Sequence, residues 1–160
     1  MLYTTLLLAL CAAVSCAQAQ DISLKGIKQV QVDVALVDGV GTGQCAEKGV
    51  LAKSFGLLEE PIQTETELRL REAGLRVGAG PVLAIVVSGC PSLISIRIDL
   101  KESALVDGRA TRGIVVTWAT GSLQVAQPDG LVIRSAIREV VSKFVNRWLA
   151  DNANVPARKQ

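Results

Sequence analysis

The chain has 160 residues, with 17 Lys or Arg against 15 Asp or Glu, and a net charge of +2. That near-neutral balance, without a long basic block, leaves nucleic-acid binding no electrostatic footprint. Aromatic residues make up 3% of the chain, which argues against sugar- or base-stacking surfaces. Histidine is absent, which excludes a Ser-His or Cys-His nucleophile within one chain and a His-ligated zinc site.

Residues Leu6 to Val14 form an apolar run of signal-peptide length, too short to span a bilayer. Two cut sites follow it. Ala17-Gln18-Ala19 fits the small-x-small rule and predicts cleavage between Ala19 and Gln20. Ala13-Val14-Ser15-Cys16 resembles a bacterial lipobox, in which Cys16 would become a lipidated first residue. The reading taken here is cleavage at Ala19 and export to the periplasm or the medium, with a membrane-attached lipoprotein as the alternative. Residues 1–19 are then a signal peptide, 20–152 a single α/β domain and 153–160 a flexible tail.

Cleavage at Ala19 leaves two cysteines, Cys45 and Cys90. In an oxidising compartment such a pair tends to bond. The long loop between them would contribute about 3–4 kcal/mol in the chain-entropy model. Two buried thiols are the other reading. Cys45 stands in a Gly-rich stretch and Cys90 between Gly89 and Pro91, both loop-like or strand-end positions, which favours the disulfide.

Val30, Val32, Val34 and Leu36 alternate with Gln31, Asp33 and Ala35, the period of a strand with one face inward. "DGVGTGQ" ends it. Residues 46–57 read as a helical turn or an irregular loop. In "LLEEPIQTETELRLREAGLRV", Ile62, Thr66, Leu70 and Ala73 recur at helical spacing. Glu59 and Glu60 suit the positive end of the helix dipole, and Pro61 suits a first turn. Gly74 is placed to end the helix, and Leu75-Arg76-Val77 to re-enter an extended state. "PVLAIVVSG" is apolar on both faces, as an interior strand is.

Ile94, Ile96, Ile98 and Leu100 next alternate with Ser95, Arg97, Asp99 and Lys101, a strand with one wet face. "VDGR" signals a hairpin into "RATRGIVVTWATG". Hydrophobic matching selects a three-residue bulged loop that sets Ile96 near Trp118, Ile98 near Val116 and Leu100 near Ile114. Trp118 and Trp148 read as core or rim anchors. The last element is an amphipathic helix with Ile133, Ile137, Val140, Val141, Phe144 and Trp148 on one stripe. The expected fold is one mixed sheet of about five strands with two main helices against it, a βαβ-like start and a hairpin.

"GTGQCA" fits a form of the dinucleotide fingerprint, but no strand end with an acidic residue follows at the required distance. No cofactor or metal is therefore expected. Glu59 with Glu60 is the nearest carboxylate pair, and it reads as a solvated helix start.

"TETELRLREAGLRV", "TWATG" and a closing helix ending "FVNRWLADN" together resemble a group of small bacterial exported α/β proteins. The likeness covers Ile27 to Asn152. The element order is similar to envelope domains such as the amino-terminal domains of TolB-like and CsgG-like proteins. That resemblance implies a binding or assembly role in the cell envelope, and the expected function is that of a non-enzymatic accessory domain. The contact would be with a protein partner or small ligand, through a sheet edge or the face bearing Arg97, Asp99 and Lys101. The alternatives are a lipid-anchored assembly protein, or a His-free enzyme with a cleft near the Gly39–Cys45 loop.

Overall fold

The computed structural model describes residues 23–38, 49–90, 92–105, 112–120, 123–126 and 129–153. The Ala19–Gln20 cut site, Cys16, Cys45, the Gly39–Cys45 loop and the tail from 154 lie outside the described residues.

The elements are β1 (Gln29–Asp38), α1 (Val50–Phe55), α2 (Glu59–Glu72), β2 (Arg76–Cys90), β3 (Leu93–Leu105), β4 (Arg112–Ala119), β5 (Leu123–Ala126) and α3 (Gly130–Asn152). They build the expected mixed five-strand sheet, in the order β1-β2-β3-β4, with β5 also on β3. β1 and β2 are parallel, joined through α2. The remaining pairings are antiparallel, and β4 and β5 occupy different stretches of β3. The sequence splits β2 into two extended pieces, yet it is one strand with an interruption. Val30 pairs with Val77 and Gln31 with Val82, so Gly78–Pro81 project out of the ladder. Proline cannot donate to a ladder and glycine weakens one, so the interruption falls where the sequence allows it.

Strand alternation sorts the sheet into two faces. Val32 and Val34 pair with Leu83 and Ile85, and these with Leu100 and Ile98. This face carries α2 and α3, and its residues merge with Ile62, Leu70, Ile133, Ile137, Val140 and Phe144 into one core. α2 ends as expected. Gly74 takes φ 90°, and the amide of Leu75 reaches the carbonyl of Leu70 at 2.9 Å, closing the helix end. α3 starts on Asp129, whose side chain accepts from the Val132 amide at 2.8 Å. Asp38, at the end of β1, accepts from the amides of Gly49 and Leu51 at 2.7 and 2.9 Å and so seats α1.

The hairpin of β3 and β4 forms, but in a different register from the one that hydrophobic matching selects. Trp118 faces Leu100, not Ile96, and Lys101 faces Val116. The pairing shifts between Leu100 and Lys101, which leaves Thr117 as a bulged residue. Trp118 therefore keeps the expected face and meets Phe144 edge-on, with ring centroids 5.2 Å apart. Val116 and Ile114 move to the opposite face, beside Lys101 and Ser103. One extra residue in a strand reverses every side chain beyond it. A bulge sits inside β4, and Leu105 pairs with Arg112 at the strand ends; the three-residue bulged loop expected between them falls in 106–111, outside the described residues.

Candidate functional site: the open sheet face and its end

No described helix lies on the second face of the sheet. It carries Asp33, Val37, Val82, Ala84, Val86, Leu93, Arg97, Asp99 and Lys101, in register with Ala119, Val116 and Ile114. Ile114 is 80% exposed and Val116 52%. Arg97 is exposed and Lys101 half-buried, in line with a wet face. Asp99 departs from the expected wet position, at 4% exposure. Its cross-strand neighbours are Ala84 and Ala119, too small to cover it. The Arg97 side chain does so, with Nε 3.0 Å from the Asp99 carboxylate. The charged trio thus consists of a sunken aspartate, the exposed arginine that covers it and one lysine.

At one end of the sheet the projecting Gly78–Pro81 stretch separates two hollows. On the open face, a hollow of about 610 Å³ is lined by Asp33, Pro81, Val82, Lys101, Ser103 and Ile114. Around the end, one of about 650 Å³ is lined by Lys25, Lys28, Arg76, Pro81, Glu102 and Thr117, among others. The Thr117 hydroxyl donates toward Glu102 at 3.2 Å, so the bulge in β4 also shapes this wall. Gln29 on β1 donates through its side-chain amide to the carbonyl of Ala79 and ties the projection down.

The segment that carries Lys25 and Lys28 is held by the last turn of α3. Asp151 accepts from the Leu24 amide at 2.7 Å. Asn152 accepts from the Gly26 amide at 3.0 Å and donates to the Leu24 carbonyl at 3.1 Å. Trp148 donates its indole N–H to the Ile27 carbonyl at 2.8 Å. The Leu24 amide holds the Asp151 carboxyl below the usual carboxylate range, outweighing an opposing burial effect, and Arg147 adds to the lowering. Trp148 is therefore a rim anchor with a polar task, as its position suggested.

A third concavity lies between α2 and α3, where Glu65 meets Arg69 and Arg138. The hydrogen bond and charge of Glu65 raise the Arg138 pKa. The Glu65–Arg138 contact joins the two helices. Among the described residues, no three His, Cys, Asp or Glu come together as a metal site, and no helix is long and apolar enough to cross a membrane.

Cys90 ends β2 and is buried, with its sulfur 3.3 Å from the Ser92 hydroxyl. Its expected partner, Cys45, lies outside the described residues, and no disulfide occurs among those described. The sequence reading missed β5, the projection in β2, and Lys25, Lys28 and Arg76. A Gly-Ala-Gly-Pro run inside an apolar strand was the available signal for the projection. The three cations are brought together only by the fold.

No protein-family model, curated protein or solved structure matches the chain.

Proposed function

We propose that this chain is an exported accessory protein of the cell envelope that works by contact and not by bond-making. Its contact surface is the open sheet face. The observation that carries the reading is the register of β4: the bulge at Thr117 turns Ile114 and Val116 outward beside Ser103 and Lys101. Apolar groups rimmed by charge suit protein recognition. Export rests on the apolar run and the Ala19–Gln20 cut site. The lipid-anchored alternative rests on Cys16, in a sequence that resembles a lipobox.

Photo-crosslinking from position 116 in the full-length chain, expressed in its native cell, tests the surface. A control crosslinker at Leu68, equally exposed on α2 at 54%, samples the helix side. A discrete adduct from 116 and none from 68 is expected. Adducts from 68 alone, or from neither position, overturn the contact face. Intact mass tests the export step. A chain beginning at Gln20 supports it, a lipidated Cys16 moves the protein to a membrane, and an unprocessed chain in the cytosol overturns it.

A further inference from the structure

We propose that the hollow between the Lys25–Lys28 segment and the Gly78–Pro81 projection binds a small anion with two or more negative charges, of phosphate or polycarboxylate type. Its volume, about 650 Å³, is within the usual range for small-molecule sites.

The first argument is the distribution of ion pairs. Carboxylates pair with Arg69, Arg71, Arg97, Arg138, Lys143 and Arg147. Among the described side chains, Lys25, Lys28, Lys53, Arg76, Lys101 and Arg134 form no ion pair. Lys25, Lys28 and Arg76 line this one hollow, and Lys101 lines the hollow beside it. Unpaired like charges around a concave wall focus the field and raise the local concentration of counter-ions. Among the described lining residues the one carboxylate, Glu102, accepts from Thr117, so there one acid faces three cations.

The second argument is preorganisation. Asp151 and Asn152 fix the backbone on both sides of Lys25, Trp148 holds the Ile27 carbonyl just before Lys28, and the Arg76 amide donates to the Lys28 carbonyl at 3.2 Å. Binding then orders side chains and not a loop, which lowers its entropic cost. Half-buried Ile27 and Pro81 supply apolar lining against which a carbon skeleton can lie. A nucleic-acid strand fits poorly, because no aromatic side chain is among the described residues that line the hollow.

The test titrates the purified mature chain with pyrophosphate and with citrate at low ionic strength. Intrinsic fluorescence is the readout, since Trp148 is bonded to Ile27 and Trp118 is adjacent to Thr117. Saturable binding is expected, weakened about fivefold by Lys28→Gln and by Arg76→Gln, each an exposed residue. Lys53→Gln, on α1, is expected to leave it unchanged. Circular dichroism checks that each variant folds. Flotation with vesicles rich in an anionic phospholipid separates a lipid headgroup from a free anion. Vesicle binding with the same variant dependence supports the site and assigns the lipid source. No saturable response to any of the three, or equal weakening by Lys53→Gln, overturns it. This site is separate from the contact face at Val116, so failure here and failure of the crosslinking experiment are distinguishable.

Discussion

The two faces of β3 differ sharply in exposure. Ile94, Ile96, Ile98 and Leu100 have 0% exposure under the helices. Ser95, Arg97 and Lys101 alternate with them and keep contact with solvent. Asp99 is the exception, sunk at 4% beneath Arg97. A single strand therefore carries both the residues that make the fold and those available to a partner. What separates them is a two-residue period and not a division of the chain into structural and functional segments.

That contrast predicts a graded response to substitution. Phe144→Ala should cost the most, about 3–5 kcal/mol in urea unfolding, because it empties a fully buried ring site and removes the edge contact with Trp118. A loss below about 1 kcal/mol would mean that the covered face is loosely packed.

Arg97→Ala tests the point where the contrast blurs. It should cost about 1–2 kcal/mol, since a nearly buried carboxylate loses its cover. Asp99→Asn in the same chain should recover part of the loss. If Arg97→Ala is silent, Asp99 is hydrated and belongs with the wet face after all.

Acid titration examines the tie between Asp151 and the first described segment. The folded carboxyl titrates below its unfolded value, about 3.9 for Asp. The tie is therefore complete above that value and is lost as pH falls through the folded pKa. Hydrogen exchange at the Leu24 amide should accelerate on that acid side, and Asp151→Asn should flatten the dependence.

The smallest effect is expected at Ile114→Ser. The residue is 80% exposed, so stability should move by less than about 0.5 kcal/mol. The same substitution should reduce crosslinking from position 116. A large stability loss would show that this face packs against something within the chain itself.

Much of this architecture was legible in the residues. β1, α2 and α3 carry strong periodicity, and the buried set on α3 includes Ile133, Ile137, Val140, Val141 and Phe144 as the stripe requires. The α2 end was readable because Gly74 alone fits the positive φ. The β3–β4 register was not, for a physical reason. Matching by parity assumes that every apolar residue of a strand seeks the core. Trp118 does, but Thr117 leaves the ladder and frees Val116 and Ile114 to face outward. β5 offers four residues, Leu123–Ala126, too few for a period to stand out. Of the candidate face, alternation revealed Arg97, Asp99 and Lys101, but not which of them would be buried. The cationic hollow draws on Lys25, Arg76 and Thr117, residues whose proximity no local pattern encodes.

The clasp between the end of α3 and Leu24 spans a sequence separation of 127 to 128 residues. A chain emerging in order from a ribosome presents Leu24 long before Asn152 exists to hold it. Closure of this clasp is thus a late event, and until then the opening stretch of the domain stays accessible to chaperones and proteases.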